Sequence, residues 1–135
     1  IGAMKKIQSQ STSNPTSISQ VAAEAALNGG RDCVTPMVKA FKERHDYLVA
    51  ALNEIPGVTC IESDGAFYAF PSFKEAMAKL GVEDDVAFAE KLLTDAGVAL
   101  VPGSAFGTPG YARLSFATSL DVLKDAVGRI SKALS

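Results

Sequence analysis

The sequence predicts an α+β (mixed α/β) fold, a small open sheet of about four short strands flanked by helices. Three observations predict it. Apolar residues recur at spacings of three and four through a long central stretch, short aromatic and β-branched runs bounded by glycine and proline follow it, and a further apolar stripe at helical spacing closes the chain.

Taken in order, Ile1-Gly-Ala-Met-Lys-Lys-Ile-Gln8 reads as the second half of a helix, and neither as a natural start nor as a tag, so a fragment is expected. Ser9 to Ser19 is rich in serine and threonine with Asn14 and Pro15, a composition of turns and caps, and reads as a loop or linker. Ile18 to Leu27 is alanine-rich and helix-prone, and Asn28-Gly29-Gly30 supplies a left-handed stop. Val34, Met37, Val38, Phe41, His45, Leu48, Leu52 and Ile55 mark a long amphipathic helix from about Asp32 to Ile55, closed by Pro56-Gly57. Val58 to Ile61 is a short strand candidate, Glu62-Ser63-Asp64-Gly65 a turn, and Ala66 to Phe70 an aromatic strand ended by Pro71; together they predict an antiparallel hairpin. Phe73 to Leu80 reads as a short helix ended by Gly81, and Val86, Phe88, Ala89, Leu92 and Leu93 mark another, stopped at Ala96-Gly97. A strand from Val98 to Val101 precedes Pro102-Gly103. A last strand, Ala112 to Ala117, passes through a cap at Thr118-Ser119 into a final helix whose face is Leu120, Leu123, Val127, Ile130 and Leu134.

A chain of 135 residues is one domain by length and buries roughly two-thirds of its unfolded surface. Hydrophobic content of 47%, charged content of 21% and a net charge of −2 describe an ordinary globular protein, with nothing basic enough for nucleic acid. No apolar run approaches a membrane span and the start does not read as a signal peptide, so no membrane partner is expected and a cytoplasmic setting is the default. Cys33, Cys60 and the single His45 have no metal-binding spacing; no metal site is expected.

The glycine-rich run Gly103-Ser-Ala-Phe-Gly-Thr-Pro-Gly110 feeds a strand carrying a lone arginine. Period-two alternation puts Tyr111, Arg113, Ser115 and Ala117 on one face and Ala112, Leu114 and Phe116 on the more apolar other. A guanidinium fixed on a strand can grip a carboxylate with two parallel hydrogen bonds, which makes Arg113 the leading candidate for anion binding. The residues alone leave a plainer account open, a solvated or structurally paired arginine. The glycine-rich run lacks a P-loop ending and reads as the rim of a pocket rather than a phosphate cradle. His45 lies on the apolar stripe of its helix and reads as a half-buried, satisfied histidine. Of Phe67 and Tyr68, alternation lets only one face a given ligand. Asp64, Asp84 and Asp85 sit in turn and helix-start contexts where capping accounts for them, and no Ser-His-Asp or Cys-His arrangement stands out.

Four segments together resemble one family. Gln8-Ser-Gln-Ser-Thr-Ser-Asn-Pro-Thr-Ser-Ile-Ser-Gln20, Gly65-Ala-Phe-Tyr68, Ala96-Gly-Val-Ala-Leu-Val-Pro-Gly-Ser-Ala-Phe106 and Ala112-Arg-Leu-Ser-Phe-Ala117 are similar, in order and spacing, to the C-terminal part of fold-type I pyridoxal-phosphate aminotransferases. The resemblance holds especially for the bacterial aspartate or aspartate/prephenate branch. The resemblance implies residues 1–20 as a truncated helix and serine-rich segment connecting to a missing large N-terminal domain, and 21–135 as the small C-terminal domain. It implies amino-group transfer between an amino acid, aspartate foremost, and a 2-oxo acid, in the biosynthetic side of amino acid metabolism. Arg113 would bind the substrate α-carboxylate, Phe67 would lie beside the substrate, and Ser11, Thr12 and Ser13 would reach the neighbouring active site of a homodimer. The Schiff-base lysine is expected upstream of Ile1, so pyridoxal phosphate belongs to the complete protein, no catalytic residue is assigned here, and the isolated chain is expected to be inactive and to hold no cofactor. Two other readings remain at this point: a free-standing regulatory module that binds a carboxylate or amino acid, and an interaction domain in which Arg113 is structural.

Overall fold

The computed structural model describes residues 1–12 and 14–135, which form two compact units, Ile1–Pro36 and Met37–Ser135. In the first, α1 (Gly2–Ser11) and α2 (Ser17–Asn28) contain no buried residue. The segment from Ser9, expected to be a loop, extends α1 by one turn. Its hydroxyls bond back into the helix, Ser9 Oγ to Lys6 O at 2.9 Å, Ser11 Oγ to Ile7 O at 2.6 Å and Thr12 Oγ1 to Gln8 O at 2.6 Å, so residues that favour turns are accommodated in a helical end. Ser13 lies outside the described residues.

The second unit is built on α3 (Val34–Asn53) from Met37 onward, α4 (Lys74–Leu80), α5 (Asp85–Ala96), α6 (Leu120–Ala133) and a small sheet. The sheet has β1 (Tyr68–Ala69), β2 (Val101–Pro102) and β3 (Ala112–Ser115) in the order β1-β3-β2, with both pairings antiparallel. β3 is the central strand. A 3-10 turn, Gly103–Phe106, leads away from β2.

The mixed α+β class holds, with three named strands among the described residues where about four were expected. The predicted hairpin does not form as drawn. Val58–Ile61 contributes only the bridge of Thr59 with Ser72, and β1 pairs with β3 instead. The reason lies in Asn53 at the end of α3: its side-chain oxygen accepts from Cys60 N and its amide donates to Cys60 O, both at 2.9 Å. A side-chain amide thereby satisfies backbone groups that a ladder would otherwise have paired.

Helix ends follow local chemistry more closely. Asp84 caps α5 by accepting from Val86 N and Ala87 N, Ser119 caps α6 by accepting from Val122 N, and Gly81 and Gly97 end α4 and α5 in left-handed conformations. The core joins Leu48, Leu52 and Ile55 from α3 and its exit to Phe73, Phe88 and Leu92, to Leu114 and Phe116, and to Leu123, Val127 and Ile130 of α6. Among the described residues no helix is long and apolar enough to cross a membrane.

Candidate functional site

β3 decides the geometry of the candidate site. Its alternation buries Ala112 and Leu114, leaves Arg113 half-buried and exposes Ser115. The Arg113 Cζ lies 4.3 Å from the centre of the Tyr68 ring and 4.7 Å from that of Phe106. Tyr68 comes from β1, where it is paired with Ser115, so it is the diagonal neighbour of Arg113 on the same face. Phe106 comes from the 3-10 turn. Phe70 and Tyr111 continue the aromatic wall, stacked on each other at 5.3 Å, with Phe70 edge-on to Phe106 at 5.9 Å. Cation–π contacts are worth about 0.5–2 kcal/mol each, enough to restrict the guanidinium without neutralising it. None of the ion pairs among the described residues includes Arg113. The guanidinium is thus packed on ring faces and has no acidic side chain paired with it among the described residues.

Four backbone donors of the glycine-rich loop are already used within the fold. Gly103 N donates to Tyr111 O at 2.7 Å, Ser104 N to Asp85 Oδ2 at 2.6 Å, Gly107 N to Ser104 O at 3.0 Å and Thr108 N to Gly103 O at 2.9 Å. These four backbone donors hold the loop closed, one of them on a carboxylate. Gly103 is required there, because a Cβ would collide with the carbonyl oxygens of Thr108 and Tyr111.

Phe67 lines a different feature, a groove of about 550 Å³ with Phe41, His45, Ser63 and Phe116 among its walls and without Arg113. Its ring centre is 4.3 Å from that of Tyr68, so Phe67 backs the residue that touches the guanidinium. The groove's rim carries backbone strain: Ala66, not Gly65, has a φ of 62°. A non-glycine residue there costs about 1–2 kcal/mol.

At the groove the fold gathers Asp46, His45 and Ser63, a grouping that sequence spacing does not reveal. His45 Nδ1 is 3.0 Å from Asp46 Oδ1, and Nε2 accepts from the backbone N–H of Ser63 at 3.1 Å. The second bond requires an unprotonated Nε2, which places the proton of a neutral ring on Nδ1. This is not a nucleophilic triad, since Nε2 is occupied by a backbone donor and Ser63 Oγ is buried without a partner among the described residues. The nearby Lys42 ammonium is 2.8 Å from Asp46, whose hydrogen bond and charge raise its pKa; the same contact, with His45, lowers that of Asp46.

Of the remaining candidates, Ser11 and Thr12 are exposed at the end of α1 with their hydroxyls turned into the helix. Cys33 is exposed and Cys60 is buried; burial pushes the Cys60 thiol up. No cluster of three or more metal-ligating side chains occurs among the described residues. Tyr68 and Phe106 were not singled out as partners of Arg113 from sequence, although strand alternation and the position of Phe106 in the glycine-rich run carry the signal.

Comparison with known proteins bears on the whole chain. The family model for aminotransferase class I and II matches residues 1–130. The aspartate/prephenate aminotransferase of Nitrosomonas europaea is 55% identical over 100% of this chain and 36% of its own length. The aspartate aminotransferase of Bacillus subtilis is 48% identical over 98% of this chain and 34% of its own. Among solved structures, the aspartate aminotransferase of Rhizobium meliloti superposes with a TM-score of 0.85 at 42% identity, covering 98% of this chain and 34% of that one. The chain spans about a third of the length of the curated relatives it matches. A family match along nearly its full length, together with this structural likeness, shows that the chain belongs to the aminotransferase class I and II family.

Proposed function

We propose that this chain is the C-terminal, substrate-gripping part of a pyridoxal-phosphate-dependent aminotransferase that moves an amino group between an amino acid, aspartate foremost, and a 2-oxo acid. Arg113 binds the substrate's α-carboxylate. The observation that carries this reading is the Arg113 guanidinium itself, half-buried on the central strand, held by two rings and free of any acidic partner among the described residues. A bidentate grip on a carboxylate would hold the substrate's α-carbon at a set distance and angle from the reacting group, which is a positioning role and not a proton transfer. Relatives named for aspartate support aspartate as the first donor to test. Matches to aminotransferases over the whole chain favour this reading over a regulatory carboxylate-binding module.

The residues present do not themselves fit the cofactor. A Schiff-base lysine needs a depressed pKa, and Lys42, the lysine beside the groove, has a raised one and is paired with Asp46. Lys91 is paired with Asp95 at 2.6 Å, and four backbone donors of the glycine-rich loop are used to hold the loop itself. We assign cofactor anchoring to the remainder of a longer protein, and propose with it a large N-terminal domain, a homodimeric partner and a cytoplasmic role in amino acid biosynthesis. The isolated chain is inactive on this reading.

In the full-length protein, Arg113→Ala is expected to lower kcat/KM for aspartate by about a hundredfold or more, the loss of one desolvated charge pair, while the cofactor absorbance stays unchanged. Normal transamination by that variant sinks the assignment. As a control, titrating the isolated chain with pyridoxal phosphate should show no stoichiometric binding by absorbance; tight binding would contradict the division of labour between the two parts.

A further inference from the structure

Asp85 is the one buried charged side chain among the described residues, 2% exposed, and nothing in the proposed carboxylate grip uses it directly. A carboxylate taken out of water needs hydrogen bonds in return. This one lies in the first turn of α5, where a helix N-terminus favours negative charge, and its Oδ2 accepts from Ser104 N at 2.6 Å. The Ser104 N–H is one of the donors that a helical turn leaves unpaired at its start. Capping explains Asp84 within its own helix. Asp85 instead caps a different element, 19 residues further along the chain.

That element is the 3-10 turn carrying Phe106. Phe106 is 46% exposed, and beyond its edge contact with Phe70 its place against Arg113 depends on where the turn is held. The far end of the turn is closed by Gly107 N bonding to Gly103 O and Ser104 O. One buried carboxylate thus ties α5 to the ring that packs on the guanidinium. The geometry points to Asp85 as a positioning residue: by holding the turn it keeps Phe106 on Arg113 and restricts the orientations that Arg113 presents to a substrate carboxylate. This rests on the reading of Arg113 given above.

The test uses the full-length, cofactor-loaded protein with aspartate as amino donor. Asp85→Ala and Phe106→Ala are each expected to raise KM about tenfold with kcat within about threefold of the parent. Their combination should also stay near tenfold, because both remove one constraint. Asp85→Asn keeps an oxygen that accepts the same N–H and should remain within about threefold of the parent. A purely structural Asp85 would lower the thermal midpoint with KM unchanged, or would combine with Phe106→Ala to about a hundredfold; either result overturns the proposal. Should Asp85→Ala fail to fold, Phe106→Ala carries the test, and a KM within about twofold of the parent overturns it. Arg113→Ala measured alongside separates the two ideas. An unchanged KM there removes the Arg113 reading itself, whereas a raised KM there with an unchanged one in Phe106→Ala removes only the role of Asp85.

Discussion

α1 and α6 both place apolar residues three and four apart but meet opposite fates, α6 with the stronger and longer stripe. In α1, Met4 and Ile7 are 72% and 68% exposed and nothing is buried, whereas in α6 Leu123, Val127 and Ile130 are all in the core. The contrast extends to the units that hold them: α2 of the first unit also buries nothing, with Ile18 and Val21 exposed, while every helix of the second contributes to one connected cluster. An amphipathic stripe states that a helix needs a partner, not that the partner lies in the same stretch of chain. Helices of 10 and 12 residues with no buried residue are marginal in water, whereas the second unit rests on burial.

The two cysteines test that contrast with the largest expected effect. A water-soluble maleimide should modify Cys33 of the first unit at nearly the rate of a free thiol, and Cys60 at least about a thousandfold more slowly, because Cys60 must wait for the core to open and its thiolate is disfavoured by burial. Comparable rates would mean that the second unit opens as readily as the first.

Core truncation is next in size. Phe88, 1% exposed with its ring 5.0 Å from that of Phe73, should cost about 3–5 kcal/mol on replacement by alanine, read from the urea midpoint. Ile7→Ala, at an exposed position, should change stability by no more than about 0.5 kcal/mol. A large loss from Ile7→Ala in the isolated chain would show that the first unit is held by packing after all.

The smallest effect compares two caps. Asp84 accepts two backbone N–H bonds at the start of α5, and Asp84→Ala should cost about 1 kcal/mol; Thr16, which makes no side-chain cap bond at the start of α2, should be replaceable by alanine at a cost of a few tenths at most. Equal costs would show that the cap chemistry does not separate the two units.

Much of this fold was legible because much of it is local. The stops at Gly81 and Gly97 and the cap at Ser119 each depend on neighbours within a few residues. The sheet was harder to read. Strands of two to four residues carry too little pattern to choose partners, and the fate of Val58–Ile61 turned on the Asn53 side chain, which no β-propensity encodes. Part of the candidate site was legible too: Arg113 was placed on the correct face of its strand by alternation alone. Its surroundings were not, since Tyr68 and Phe106 reach it from different elements and Asp85 holds the turn from a third.

By itself, then, the sequence determined the helices, most of their ends, the mixed α+β class and the side of the strand on which Arg113 stands, because backbone periodicity and capping act over a handful of residues. Tertiary structure alone decided which apolar stripes are buried, which aromatic rings face the guanidinium and what the Asp85 carboxylate holds. Those outcomes join groups far apart in the chain, and they depend on the closing of loops and the packing of a shared core, which no local pattern specifies.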